Sequence, residues 1–404
     1  MSVGLLAALA CLTAEPHIWC LTGPCSVLTW DVEPAAITDL PCSWNDPFAA
    51  SGTPTSTAQN DLDHAALGRG WTHFTGGYLV QMDYAGHLDV VRVRSALVWD
   101  ATGKCHRIGN PQLPVTSTAA SADFSADFSA RAAPRLAGPL IPAWDGATHV
   151  RKVEALREHI ARGDCYQVNL TLPFTGTLQQ GDDLAVAMAL FTQSPGPFSA
   201  FIRRPGRPTV ISHSPENFLA VQRAQLLSCP IKGTRRPGFR DELLTAEKDR
   251  AELAMIVDLV RNDVGRVSVP GSVQVPQPAR ILDLTYVHHL VAEVAAQVRP
   301  HTSWSDLLAA TFPAGSITGA PKRKAMELIA AYEDAPRGAY CGTFGWVGAQ
   351  TAQLAVAIRT LTVAASQVTL HAGSGIVADS DGAAEWDEVR AKASAMAGAL
   401  GGVV

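Results

Sequence analysis

Apolar positions from Thr148 onward fall at helical spacing, Val153, Leu156 and Ile160, until Gly163-Asp164 stops the run. Tyr166-Gln167-Val168-Asn169-Leu170-Thr171 then takes up the pattern of a strand, and strands and helices alternate from there to the C-terminus. The first hundred residues interleave strand-like and turn-rich segments and end in two hairpin-strand candidates, Gly86–Arg94 and Ala96–Trp99. Between Gly109 and Pro142 the chain turns rich in Pro, Ala, Ser and Thr and repeats Ser-Ala-Asp-Phe-Ser-Ala from Ser121 and again from Ser125, the composition of a linker. Three stretches follow: 1–108, which contributes strands; 109–145, the Pro/Ala/Ser-rich linker; and 146–404, the main body.

Two later helices carry acids beside their apolar faces. Ala246 to Asn262 reads as one helix, with Leu253, Ile256, Val257 and Val260 at i, i+3, i+4 and i+7 and Glu252 on the border of that stripe. In the last helix Glu385 and Glu388 stand three apart and share a face with Val389, Lys392 and Met396.

Composition narrows the class. A chain of 404 residues, 47% hydrophobic and 17% charged, can bury a large core. Its net charge of -5 is spread without a basic stripe, which argues against nucleic acid and for a small substrate. The 8 cysteines form no CxxC pairs, as expected for reduced thiols in a cytoplasmic protein without a sulfur-bound metal. Val3 to Cys11 is a short apolar run with no preceding Lys or Arg, read as a buried first strand or helix and not a signal; no run approaches the ~18 apolar residues that cross a membrane.

Pro230-Ile231-Lys232-Gly233-Thr234 places an amine between an apolar segment and a glycine. Lysine becomes nucleophilic when burial lowers its pKa, and Lys232 is either such a group or a surface lysine at a strand–turn junction. Ser214-Pro215-Glu216-Asn217-Phe218 sets an acid just before an apolar strand, where Glu216 is a general acid in a poorly solvated pocket or a solvated turn residue. Glu252, Glu385 and Glu388, three carboxylates without a cysteine or histidine cluster, describe a hard-cation site of the Mg²⁺ type completed by substrate and water. The competing reading is a surface ion pair between Glu388 and Lys392. Gly373 and Gly375, at a strand end, leave backbone N–H groups open to an anion, and Arg359 can pair a carboxylate or form a structural ion pair.

Taken together, these segments resemble the chorismate-using enzymes over roughly Thr148 to Gly401. The matching stretches are Gly163–Thr171, the Ser214 and Pro230 pentapeptides, Glu247–Leu253 with Ile256–Asp263, Val287–Leu290, Phe312–Lys322, Arg337–Tyr340 and Gly373–Lys392. The N-terminal third matches less well: Phe74–Tyr78 looks like the family's Gly-Gly element, and no tryptophan-binding signature is found near the start.

The resemblance implies an α+β fold, a layered α/β/β/α body with a central β-sandwich flanked by helices, binding chorismate and Mg²⁺. Lys232 is implied to attack ring C2 as the 4-hydroxyl leaves, with Glu216 as the acid. His289, in preference to His288, falls on the family's active-site histidine. Glu252, Glu385 and Glu388 are implied to hold Mg²⁺, while Thr234, Tyr340, Arg359, Gly373, Gly375, Lys392 and Gln167 bind substrate. Anthranilate synthases usually carry alanine at the Lys232 position, so the lysine points to the aminodeoxychorismate synthase component I branch, which aminates C4 for p-aminobenzoate and folate. Members that add water carry a base lysine where this chain has Gln167, which argues against them. No Gly-x-Cys-x-Gly elbow is present, so ammonia is expected from a separate glutamine amidotransferase subunit. The alternatives are anthranilate synthase component I and a non-catalytic chorismate-binding partner protein.

Overall fold

The computed structural model describes residues 18–21, 26–36, 77–99, 105–109, 132–193, 196–235, 238–284, 287–348 and 351–404. Val3–Cys11, Phe74–Gly76 and the repeated segment from Ser121 lie outside the described residues.

The fold is α+β, built on a long antiparallel ladder. It runs from Gln167–Gln180 through Gln367–Ile376, Thr360–Ala364, Thr209–Ser214 and Phe198–Arg203 to Ile18–Leu21 and Ser26–Ala35. It continues through Leu88–Trp99, Tyr78–Met82, Thr343–Val347, Thr351–Val356, Asn217–Gln222 and Gln225–Cys229. His288–Gln297 comes next, paired with both Ile231–Arg235 and Gln274–Asp283.

So long a twisted ladder folds back into two layers, and strand alternation sorts its side chains accordingly. Trp19, Phe198, Ile202, Phe344 and Trp346 fill the space between the layers. Their neighbours face out: Phe201 packs with Leu184 and Val389, and Leu354 with Leu253 and Trp304. Helices Asp183–Gln193 and Gly382–Ala397 thus cover one outer face, Glu247–Gly265 and Trp304–Thr311 the other, giving the expected α/β/β/α layering.

Two sequence expectations are corrected. The segments read as separate hairpin strands form one strand, Leu88–Trp99. Ser95 does not break it, because its carbonyl accepts a hydrogen bond from Thr29 Oγ1 at 2.6 Å. Residues 132–145, assigned to the linker, pack on the body: Arg135–Leu136 and Ile141–Pro142 pair with Gln167–Gln180, and Leu136 and Leu140 are buried beside Phe174. Short apolar residues spaced among prolines carry no period from which such edge strands can be read.

Folding back brings the two ends of the ladder together. Gly319–Ala320 pairs with Val168 and Gln167 at one end, while the preceding 3₁₀ turn, Gly315–Ile317, reaches Lys232 at the other. Cys20, Cys165, Cys229 and Cys341 are buried free thiols. No helix among the described residues is long and apolar enough to cross a membrane.

Candidate active site

Lys232 lies on Ile231–Arg235, where the register against His288–Gln297 shifts between Lys232 and Thr234. Gly233 makes that shift with φ of 64°, and a Cβ there would press on Asp249 and Leu243. Lys232 Nζ donates to Ser316 O at 3.3 Å. The residue is half-buried with its amine surrounded by protein, and burial lowers its pKa against the opposing pull of Glu252 and Glu216.

Glu216, only 3% exposed, accepts a 2.5 Å hydrogen bond from Ser316 Oγ. Burial pushes its pKa up to about 7, although the Ser316 hydroxyl and the Lys232 charge pull it down. A carboxyl that keeps its proton near neutrality beside an amine that sheds one more readily is the pairing of a general acid with a nucleophile.

Of the two histidines, His289 faces the site; His288 turns to Asp283, 2.7 Å from Oδ1. Burial and the Arg359 charge hold the His289 pKa at about 4, so the ring is neutral. Arg359 Nη2 donates to Nε2 at 3.4 Å, which leaves the proton on Nδ1, 3.0 Å from Thr234 Oγ1 and 3.3 Å from Gly233 O. Arg359 follows Thr351–Val356 at φ of 47° and has no carboxylate partner among the described residues, so the structural ion pair is not formed.

Gly373 and Gly375 alternate on one face of Gln367–Ile376. A Cβ at Gly375 would collide with the Gln167 amide nitrogen and stand 3.7 Å from Lys232 Nζ. Gln167 is buried, its Oε1 without a protein partner. Lys392 Nζ donates to Gly373 O at 2.9 Å and pairs with Glu388 at 2.6 Å, both side chains half exposed, so the surface i,i+4 ion pair is formed.

Burial raises the Glu252 pKa, opposed by Lys232 and Lys248. Burial acts on Glu388 in the same direction, but Lys392, with Lys248 and Lys232, brings it below the usual range. Glu385 accepts from Ser380 Oγ at 2.7 Å and lies 3.8 Å from Lys248 Nζ. Among the described residues no three His, Cys, Asp or Glu side chains stand close enough to hold a metal ion by themselves. The donors still suit Mg²⁺, which takes one or two carboxylates and completes its shell with water and substrate. Their acidic field is balanced here by Lys232, Lys248 and Lys392.

Tyr340 stacks on His371 with centroids 5.3 Å apart, and His371 lies two residues before Gly373 on the same strand. Both line a cavity of about 280 Å³ that includes Arg204, Arg207 and Asp83. Sequence reasoning gave no role to Ser316 or Lys248. Lys248 precedes Glu252 by four on one helix, a usable signal for a charge pair. Ser316 offers none, since its partners are 84 and 100 positions away.

An amine, an acid, a neutral histidine, a guanidinium without a carboxylate partner among the described residues and a group of carboxylates thus stand around Lys232. The chain belongs to the chorismate binding enzyme family, whose model matches residues 91–398. It is 43% identical over 247 residues to aminodeoxychorismate synthase component 1 of Klebsiella aerogenes, a match covering 59% of this chain and 54% of that protein. Anthranilate synthase component 1 of Bacillus caldotenax is 37% identical over 266 residues, covering 64% and 52%. The chain thus spans about half the length of the curated relatives it matches. Anthranilate synthase component I from Streptococcus pneumoniae superposes with a TM-score of 0.69 at 25% identity, over 94% of this chain and 90% of that one.

Proposed function

We propose that the chain aminates chorismate at C4, the reaction of aminodeoxychorismate synthase component 1. The observation that carries this reading is the Lys232 amine and the Glu216 carboxyl meeting on Ser316. The Lys232 lone pair forms a bond to ring C2 as both conjugated ring double bonds shift, C1=C2 to C1=C6 and C5=C6 to C4=C5, and the C4–O bond breaks. Glu216 supplies the proton with which the hydroxyl leaves as water. Ammonia then bonds to C4, both double bonds return to C5=C6 and C1=C2, and the C2–N bond breaks to release Lys232. Two displacements replace one difficult substitution and direct the nitrogen to C4.

Arg359 and the backbone at Gly373 and Gly375 take substrate carboxylates, and Thr234 fixes the His289 ring beside them. Glu252 and Glu388, backed by Glu385, would hold Mg²⁺, which supplies positive charge for the ring carboxylate. A separate glutamine amidotransferase subunit is the proposed ammonia source, in keeping with the "component 1" name of the relatives.

The test mixes protein with chorismate, Mg²⁺ and ammonium and identifies products by mass. We expect 4-amino-4-deoxychorismate, a covalent adduct in intact-mass spectra, and loss of both in Lys232→Ala. Anthranilate with pyruvate would overturn the assignment, as would bound chorismate with no turnover.

A further inference from the structure

We infer that Ser316 is a positioning residue that holds the acid and the nucleophile in register, its hydroxyl stabilising the Glu216 carboxylate left after proton transfer. The inference deepens the reading of the site given above and rests on it.

One residue serves both partners through different atoms. The Ser316 hydroxyl donates to Glu216 Oε1 at 2.5 Å, and its carbonyl accepts from Lys232 Nζ at 3.3 Å. The hydroxyl must donate once the carboxyl has given up its proton, because a carboxylate only accepts. Burial keeps water from doing this instead, and the other donor to the carboxyl is the Ile231 backbone N–H, so the Ser316 hydroxyl is the one side-chain donor it has among the described residues. The carbonyl takes one N–H of Lys232, which fixes the amine while leaving its lone pair uninvolved.

The turn that presents Ser316 is itself held. Arg337 Nη1 donates to Ile317 O at 2.7 Å, and Asn169 Nδ2 donates to the same oxygen at 3.1 Å. Ser316 therefore has little freedom to follow either partner, and Glu216 and Lys232 are set by it.

The groups facing Glu216 are few. Lys232 comes from Ile231–Arg235 and the Cys229 thiol from Gln225–Cys229. Across a cavity of about 10 Å³ lies Asp263 of Glu247–Gly265, paired at 2.5 Å with Lys322. The Ser316 bond lowers the Glu216 pKa, so its loss moves the carboxyl further up.

The experiment compares Ser316→Ala and Ser316→Thr in the full chain with chorismate, Mg²⁺ and saturating ammonium across pH. Ser316→Ala is expected to lower kcat roughly 10- to 100-fold, the worth of a hydrogen bond to a charged group. KM for chorismate should stay within about twofold, because Ser316 acts through Glu216 and Lys232. The alkaline limb of the profile should move to higher pH, and Ser316→Thr should restore both limb and rate. A limb unmoved in Ser316→Ala, or Ser316→Thr as impaired as alanine, overturns the inference.

A second readout needs no turnover. The infrared carbonyl band of protonated Glu216, assigned by difference against Glu216→Gln, should persist to higher pH in Ser316→Ala. If that band titrates as in wild type, Ser316 does not act on Glu216, whatever reaction the enzyme performs. If the band shifts while C4 amination is absent, the amination reading fails and the positioning role stands.

Discussion

Arg337 and Glu333 form a buried ion pair, Nη2 to Oε1 2.6 Å, with side chains 1% and 5% exposed. Arg337 also donates to Ile317 O and Asn169 O at 2.7 Å each, and Glu333 accepts from Thr171 N and Oγ1 at 2.9 and 3.0 Å. The pair thereby locks the 3₁₀ turn under Lys232 to the far end of the ladder. Arg337→Ala leaves a buried carboxylate without its cation and should cost about 3–5 kcal/mol in denaturant unfolding. A loss below about 1 kcal/mol would mean that water reaches Glu333.

Arg359 is the opposite case, a largely buried guanidinium with no carboxylate partner among the described residues. Such a charge is held at the expense of stability unless a ligand neutralises it. Arg359→Met should raise the unfolding free energy by about 1–2 kcal/mol while chorismate binding, read by calorimetry, drops at least tenfold. Unchanged binding would remove Arg359 from the substrate site.

Burial raises the Glu216 pKa from the ordinary glutamate value of 4.5 to about 7. Between those values the folded state holds a proton that the unfolded chain releases, so stability contributed by the protonated form is lost as pH rises toward 7. Glu216→Gln escapes that loss. Its stability relative to wild type should therefore grow between about pH 4.5 and 7, by something on the order of 2–3 kcal/mol. His149, His213, His289 and His371 act in the opposite sense. Burial holds each near pKa 4, so their contribution falls as pH drops below about 6.5. Equal pH profiles for the two proteins would show that Glu216 is not buried as a neutral acid.

Gly375→Ala tests close approach. Its Cβ would displace the Gln167 amide and crowd the Lys232 amine. Away from the hydrophobic core clusters, the change should leave thermal unfolding within about 1 kcal/mol and raise KM for chorismate roughly tenfold or more. A variant with normal KM would mean that substrate does not pass between Gly375 and Gln167.

The sequence by itself determined the elements and most of the chemistry. Period 3.6 at Leu253, Ile256, Val257 and Val260 fixes a helix and its buried face, because only one side of a cylinder meets the core. The residue types at Lys232, Glu216 and Arg359 fix what each group can donate, accept or attack with. Tertiary structure alone decided what those groups do. Whether Lys232 is a surface amine or a desolvated one depends on the two ends of the ladder folding onto each other. Whether Arg359 is paired depends on which carboxylates lie within reach, and no spacing in the chain states that. Ser316 became part of the site because the fold brings it to partners 84 and 100 positions away. Hydrogen bonds and desolvation act over a few ångströms of space, and a linear pattern records distance only along the chain.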